Sequence, residues 1–144
     1  RYAGCPMCRA RLEGLLPHAK KLKELGIQVV AYFETADDRD LHSLARYTSE
    51  LPLEIRKDPA RDAYNKVGCE RSWFKLLRPE VLWAMIRAAG LGLWQGKVTG
   101  DLRLVPAHFL VSNQGLIVQS HYGSHVADHL SWRHILGAVT GERH

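Results

Sequence analysis

The sequence has few cysteines, no long apolar run and no cluster of charges of one sign. Three cysteines in 144 residues are too few for a fold held together by disulfides. No run approaches the roughly 20 apolar residues of a membrane span. The net charge of +5 comes from scattered side chains, without a basic stripe interleaved with aromatics. We therefore expect neither a nucleic-acid partner nor a membrane partner.

The composition is that of a globular protein. With 46% hydrophobic and 24% charged residues, it excludes a disordered tail, a collagen and a coiled coil. The length suffices for a buried core and is short for two ordinary domains, which predicts one domain over residues 1–144. The first residues contain no apolar segment typical of a signal peptide. Together with the few cysteines, this predicts a reducing, cytoplasmic location.

Hydrophobic periodicity predicts helices that alternate with strands, which is an α/β pattern. The predicted helices cover 9–25, 37 or 38 to 50, 59–67, 80–95 and 128–139, with a kink at Pro17 in the first and Pro59 opening the third. The predicted strands cover 27–33, 53–56, 105–111 and 116–119, the last two joined as a hairpin through the turn at 113–115. We expect a central mixed sheet with helices on both faces. A strand before the first helix, if it exists, lies upstream of Arg1.

Two cysteines, Cys5 and Cys8, lie one helical turn apart at the start of the first predicted helix. The unpaired N–H groups and the positive dipole end of a helix start favour a thiolate at Cys5. Arg1, Arg9 and Arg11 add positive charge nearby. Cys8 is expected to be less exposed, and close enough to attack a mixed disulfide or a sulfenic acid on Cys5. We therefore predict that Cys5 attacks and that Cys8 resolves.

Metal binding is the competing interpretation of the thiols and histidines. A tetrahedral zinc site needs two more ligands at comparable spacing, and the chain has no second CxxC, so redox chemistry is favoured and no metal is predicted. Cys69 is expected to be a small buried thiol, with a second resolving cysteine or an intermolecular disulfide as alternatives. The polar residues near the C-terminus are expected to be mostly solvated and to bind no metal; they are His121, His125, Asp128, His129 and His134.

The apolar stretch Val81–Trp94 is predicted to form a buried helix. Its large side chains are expected in the core or on a dimer surface, and we include a homodimer among the expected assemblies; they are Leu82, Trp83, Ile86 and Trp94.

A proline at the start of an apolar strand, Pro106, accompanies the CxxC helix and an intervening strand–helix pattern. This combination resembles the thioredoxin-like fold, in which a cis-proline faces the redox pair. The chain also looks like the peroxiredoxin-like branch of the alkyl hydroperoxide reductase and thiol-specific antioxidant family. This resemblance spans nearly the whole chain. The matching segments are 1–9, 57–64 with Gly68, 100–101, 105–111, 122–123 and 127–129.

The resemblance implies a thioredoxin fold and thiol-dependent reduction of peroxides or disulfides without a cofactor. Cys5 matches the reactive cysteine, Cys8 its resolving partner, and Pro106 the proline opposite them. A thioredoxin or a low-molecular-weight thiol is then the expected reductant. Tyr2 and Pro106 stand where peroxiredoxins carry a threonine and an arginine that polarise the peroxide, so we expect disulfides to react faster than peroxides. The alternative is a non-enzymatic redox-sensing or interaction module with the same fold.

Overall fold

The computed structural model describes residues 1–35 and 38–141, and it has a mixed α/β architecture. None of the described helices is long and apolar enough to cross a membrane. The helices are α1 (Pro6–Glu13), α2 (Ala19–Glu24), α3 (Asp38–Leu41), α4 (Ala45–Glu50), α5 (Asp62–Lys66), α6 (Trp73–Leu76), α7 (Pro79–Gly90) and α8 (Trp132–Thr140). The strands are β1 (Val29–Phe33), β2 (Leu53–Lys57), β3 (Ala107–Val111) and β4 (Ile117–Tyr122).

The strands pair as two separate two-stranded sheets. β1 and β2 are parallel, whereas β3 and β4 form the predicted antiparallel hairpin, with Gly115 at φ +81° in its turn. Within the described residues the two pairs do not join, so the expectation of one central mixed sheet is wrong there. The segment before β3 pairs elsewhere, because the Val105 N–H donates to the Glu70 carbonyl at 2.9 Å. β1 was expected to be buried, but it exposes one face, which carries Val30 and Tyr32.

The first predicted helix, 9–25, is two short helices. It begins at the CxxC as expected, with α1 running from Pro6 to Glu13. Pro17 lies in a 3-10 turn over Leu16–His18, and α2 follows directly. A proline inside a helix removes one backbone hydrogen bond, which explains a break here rather than a kink.

Side-chain caps move the starts of two other helices away from their predicted positions. The helix expected to open at Pro59 begins at Asp62, because the Asp58 carboxylate accepts the backbone N–H of Asp62 at 2.8 Å and of Ala63 at 2.9 Å. The helix expected from 128 begins at Trp132, after a cap by the Ser131 hydroxyl.

Further boundaries differ from the sequence expectations. The helix expected up to Glu50 is α3, a 3-10 turn and α4; its predicted cap at Asp37 lies outside the described residues. The helix predicted over 80–95 ends at Gly90. α6 was not predicted at all; its Ser72 hydroxyl accepts the Lys75 N–H at 3.3 Å and so caps a single turn.

α1 lies between two buried clusters. The first contains Leu12 from α1 together with Leu22, Phe33 and Leu44, and it joins α1 to α2, β1 and the chain before α4. The second surrounds Cys5 and is formed by Tyr2, Cys5, Met7, Val81, Val105 and Val126. Cys8 packs against both clusters. The CxxC therefore sits where the two halves of the core meet.

α7 buries only one of its faces. Val81 and Ala88 are buried, and α7 packs against α1 through this side. The opposite face is open: Leu82, Trp83 and Ile86 expose 63%, 67% and 53% of their surface. The expectation of a buried helix is therefore wrong, because the chain supplies a partner for one face only within the described residues.

Candidate active site

Local backbone geometry places the two thiols together at the start of α1. Cys5 is the N-cap residue, in an extended conformation, and Pro6 occupies the first helical position, where its missing N–H costs nothing. The Cys5 sulfur accepts the backbone N–H of Cys8 at 3.4 Å. Cys5 thus takes the position that serine or aspartate usually fills at a helix start, and a negative charge on its sulfur is favoured there.

A close backbone crossing fixes the loop before Cys5. The Gly4 carbonyl accepts the Gly96 N–H at 2.9 Å, which ties this loop to the segment that follows α7. A Cβ atom at Gly4 would lie only 2.6 Å from the Lys97 carbonyl oxygen. Glycine is therefore required at this position by space.

The two thiols of the pair are held in different protonation states. The pKa of Cys5 falls to about 6, because the Cys8 thiol donates a hydrogen bond to its sulfur. Burial opposes this effect, whereas the Arg1 guanidinium and the Cys8 backbone N–H add to it. The pKa of Cys8 is raised well above its ordinary value, because that thiol is the donor and is buried beside the Cys5 sulfur. The shared proton therefore resides on Cys8, and Cys5 is the thiolate at neutral pH.

Of the two thiols, Cys8 is the more exposed, which is the reverse of the expectation. Cys5 exposes 0% of its surface, whereas Cys8 keeps part of its surface open. The expectation that Cys8 is the less exposed thiol is therefore wrong. The reason is packing: the side chain of the N-cap residue turns into the cluster of Tyr2, Met7 and Val105.

Arg1 is the arginine whose charge lowers the pKa of Cys5. It is 5% exposed, and its guanidinium donates to the Leu102 carbonyl at 2.9 Å and the Val126 carbonyl at 3.4 Å. Its own carbonyl accepts the Glu34 N–H at 2.9 Å. Among the described residues no carboxylate forms an ion pair with Arg1, so its positive charge acts on the thiolate without being neutralised there.

The two other arginines named from the sequence face different groups. The charge of Arg9 acts on the Tyr47 hydroxyl, whose pKa it lowers against the larger effect of burial. Arg11 is desolvated, which lowers its pKa, and its charge acts on His108 and His129. The sequence analysis therefore predicted positive charge near the site correctly. It did not predict which of the three arginines lowers the pKa of Cys5.

Pro106 lies beside an open cavity next to the thiol cluster. The peptide bond before Pro106 is trans, so the expectation of a cis-proline is wrong. Its neighbour Val105 packs in the same buried cluster as Cys5 and also lines the cavity. The cavity has a volume of about 320 Å³ and is lined by Gly68, Glu70, Val105, Pro106, Tyr122 and Gly123.

Cys69 lies between two residues that line this cavity, Gly68 and Glu70. It is a free thiol and is partly buried, which raises its pKa. A protonated thiol reacts slowly as a nucleophile. Cys69 is thus partly rather than fully buried, and its role as a structural thiol, a second resolving cysteine or a partner in an intermolecular disulfide stays a prediction.

A network of charged groups at the end of β1 was missed by the sequence analysis. Buried Glu34 accepts the Asp101 N–H at 2.7 Å and lies 3.7 Å from the Arg61 guanidinium. The Arg103 guanidinium donates two hydrogen bonds, of 2.9 and 2.8 Å, to the Asp101 carboxylate. These bonds lower the pKa of Asp101 to about 2. An acidic residue directly after a predicted strand was the only available signal. Through its N–H, Glu34 also fixes the Arg1 backbone.

The hairpin gathers three histidines into one cluster. His108 and His121 lie opposite each other in the β3–β4 register, and His108 Nε2 lies 2.9 Å from His129 Nδ1. His121 Nε2 lies 3.2 Å from an Asp128 oxygen. Burial and the Arg11 charge lower the pKa of His108 to about 4 and that of His129 well below its ordinary value. Among the described residues, no group of three or more His, Cys, Asp or Glu could hold a metal ion.

These positions correct the expectation of a solvated side chain for His129, whereas His134 is exposed as expected. His129 contacts His108, and its Nε2 is shielded from solvent without a hydrogen-bond partner in the described chain. His125 and His129 do not share a helix face, because both precede α8. The sequence alone could not predict the contact between His108 and His129, because it forms only when the loop 123–130 folds back onto β3.

Comparison with known proteins gives no match: no family model, no curated protein and no solved structure corresponds to this chain. The resemblance to the peroxiredoxin-like branch therefore remains a hypothesis based on the residues quoted for it.

Proposed function

We propose that this chain is a thiol oxidoreductase related to the thioredoxin-like proteins, whose Cys5–Cys8 pair cycles between dithiol and disulfide. The main support for this proposal is the environment of Cys5. Its sulfur accepts the Cys8 N–H at 3.4 Å, and its pKa is about 6. Because the thiolate is the nucleophile in thiol–disulfide exchange, a cysteine that is ionised at neutral pH beside a protonated partner is suited to this reaction.

The proposed reaction has two exchange steps. The Cys5 thiolate attacks one sulfur of a substrate disulfide, forms a mixed disulfide and releases the other sulfur as a thiolate. Cys8 then loses its proton and attacks the Cys5 sulfur, which closes the Cys5–Cys8 disulfide and releases the second substrate thiolate. A thioredoxin or a low-molecular-weight thiol returns two electrons and one proton to the pair, which restores the Cys5 thiolate and the Cys8 thiol. Two electrons thus pass from the reductant to the substrate in each cycle.

The surroundings of Cys5 favour a disulfide over a peroxide as substrate. Cleavage of a peroxide places negative charge on the leaving oxygen, which needs a positioned donor. The Tyr2 hydroxyl is engaged by Gln95 at 2.8 Å, and the Arg1 guanidinium by backbone carbonyls. Arg61 and Arg103 face the carboxylates of Glu34 and Asp101. Attack on a disulfide depends more on the supply of thiolate, which Cys5 provides.

Stopped-flow kinetics on the reduced protein, with oxidised glutathione and with hydrogen peroxide, test this proposal. We expect the disulfide to react faster than the peroxide. Cys5→Ser should abolish both reactions, and Cys8→Ser should halt at a glutathione adduct on Cys5 that mass spectrometry detects. Cys69→Ser is the matched control and should react like the wild type. Unchanged exchange in Cys5→Ser would refute the proposal, and a much faster peroxide reaction would refute the substrate preference alone.

A non-enzymatic redox sensor is the second candidate, and the burial of Cys5 favours it. A covered thiolate changes state only when the start of α1 opens, which slows multiple turnover but not a slow response to oxidants. Repeated turnover of oxidised glutathione with dithiothreitol as reductant separates the two functions. Formation of the Cys5–Cys8 disulfide in a single slow event, without turnover, would favour the sensor.

A further inference from the structure

The exposed side of α7 carries several large apolar side chains. We define the α7 outer face as Leu82, Trp83 and Ile86, each more than half exposed. Exposed apolar residues continue before the helix at Phe74 and Leu77, and after it at Leu91 and Trp94. Single exposed apolar residues are common, but a run of this kind marks an interaction surface.

The apolar residues of this region are arranged symmetrically about Ala84. Leu82 and Ile86 lie two positions on either side of Ala84, Leu77 and Leu91 seven positions, and Phe74 and Trp94 ten positions. Two copies of α7 packed antiparallel about a two-fold axis level with Ala84 would place Leu82 of each copy near Ile86 of the other. The pattern therefore matches a self-complementary surface.

The charges on α7 select the antiparallel arrangement. Glu80 and Arg87 are seven residues apart, so they lie on the same flank of the helix. Neither forms an ion pair within the described residues, which leaves both available to a second copy. In an antiparallel pair each Glu80 lies beside the Arg87 of the second copy, whereas a parallel two-fold pair would put these flanks on opposite sides of the dimer and form no such ion pair.

We propose that the α7 outer face is the interface of a homodimer, in which two α7 helices pack antiparallel with reciprocal Glu80–Arg87 ion pairs. The face of α7 that packs within the chain, with Val81 and Ala88, is not used. The inference does not depend on the chemistry of Cys5.

A charge exchange on the purified full chain tests the proposal by sedimentation equilibrium over a range of concentrations. The wild type should form a dimer. Glu80→Arg and Arg87→Glu should each raise the dimer Kd by on the order of tenfold or more, because like charges then face each other. The double variant, with both substitutions, restores opposite charges and should return the Kd close to the wild-type value. Glu24→Arg makes the same charge change on α2 and should leave the Kd unchanged.

Each other outcome contradicts the proposal. A wild type that stays monomeric at every soluble concentration overturns it, and so does a dimer that the single variants do not weaken. A double variant no better than the singles would refute the antiparallel pairing. Binding of a monomeric wild type to vesicles of phosphatidylserine would assign the outer face to a membrane surface instead. Far-UV circular dichroism of each variant shows whether the fold is retained, and Leu82→Gln, which alters the face without altering charge, should also weaken the dimer.

Discussion

α1 and α7 pack against each other, yet the two helices have opposite surroundings. α1 begins at a buried thiolate, with a buried arginine nearby, and it contacts both clusters of the core. α7 is more apolar in sequence, yet it buries one narrow side and exposes the other. In this protein polar groups such as Arg1 and Glu34 are buried while Trp83 is exposed. The apolar character of a helix therefore does not by itself decide its burial here, and the two helices should respond differently to perturbation.

The largest expected effect concerns the ionisation of Cys5 at the start of α1. With a pKa of about 6, the thiolate fraction should rise roughly 100-fold between about pH 4 and pH 7 and then level off. An ordinary thiol would continue to gain thiolate up to about pH 9. Thiolate absorbance at 240 nm, measured against Cys5→Ser, checks this without requiring access to the buried sulfur.

Iodoacetamide labelling followed by peptide mapping provides the control. Cys5 should be labelled with the low-pH profile, and Cys69, whose pKa is raised, only at higher pH. If labelling of every cysteine showed the same transition near pH 9, the start of α1 would not lower the pKa of Cys5. The electrostatic difference between α1 and the rest of the chain would then be absent.

The next effect in size concerns the histidines that Arg11 of α1 faces. The folded pKa of His108 is about 4, below the value near 6.5 of an unfolded histidine, so the unfolded chain binds more protons between these values. Stability should therefore fall as the pH drops through this window, by up to about 1.4 kcal/mol per pH unit for each such histidine. Urea unfolding of wild type and His108→Gln from about pH 7 to pH 4 should give a shallower slope for the variant.

Exposed His42 supplies the matched control for this titration. His42→Gln should keep the wild-type slope, because that side chain is exposed in the folded chain. Equal slopes for wild type, His108→Gln and His42→Gln would show that burial beside Arg11 does not suppress protonation of His108.

Local signals in the sequence were enough for most elements but not for their assembly. The start of α1 followed from the CxxC that precedes the periodic apolar residues, and the β3–β4 hairpin from the glycine turn at 113–115. The start of α5 was missed, because Asp58 caps the helix from four residues before Asp62. The single central sheet was wrong because the pairing of Val105 with Glu70 is a long-range contact that periodicity does not encode.

The candidate site was predictable in its residues but not in its environment. Cys5, Cys8 and a nearby arginine were named from spacing alone, because a helix start has the same electrostatics in any fold. Their order of exposure was not predictable, since it depends on Val105 and Tyr2 packing over Cys5. Glu34 was missed for the same reason: its contact with Asp101 joins segments far apart in the chain.

A smaller effect is expected where α1 is tied to the segment after α7. Gly4→Ala places a methyl group 2.6 Å from the Lys97 carbonyl, so the backbones must separate. We expect a loss of about 1–3 kcal/mol in the free energy of unfolding. Gly14→Ala at the end of α1 is the control, because its methyl would meet atoms at 3.5 Å and its φ is −65°. The urea midpoint should fall for Gly4→Ala and not for Gly14→Ala, and equal midpoints would mean that the crossing is loose.

The smallest expected effect is a difference in the free energy of unfolding between substitutions on the two faces of α7. Val81 is 3% exposed in the cluster around Cys5, and its truncation to alanine should cost about 1–2 kcal/mol by removing buried methyl groups. Ile86→Ala, on the outer face, should change the free energy of unfolding by less than about 0.5 kcal/mol, because that side chain is already half hydrated in the monomer. Both values are to be measured by urea unfolding at protein concentrations low enough that association does not contribute. A cost for Ile86→Ala as large as that for Val81→Ala would mean that the outer face is covered within a single chain, and the contrast between α1 and α7 would disappear.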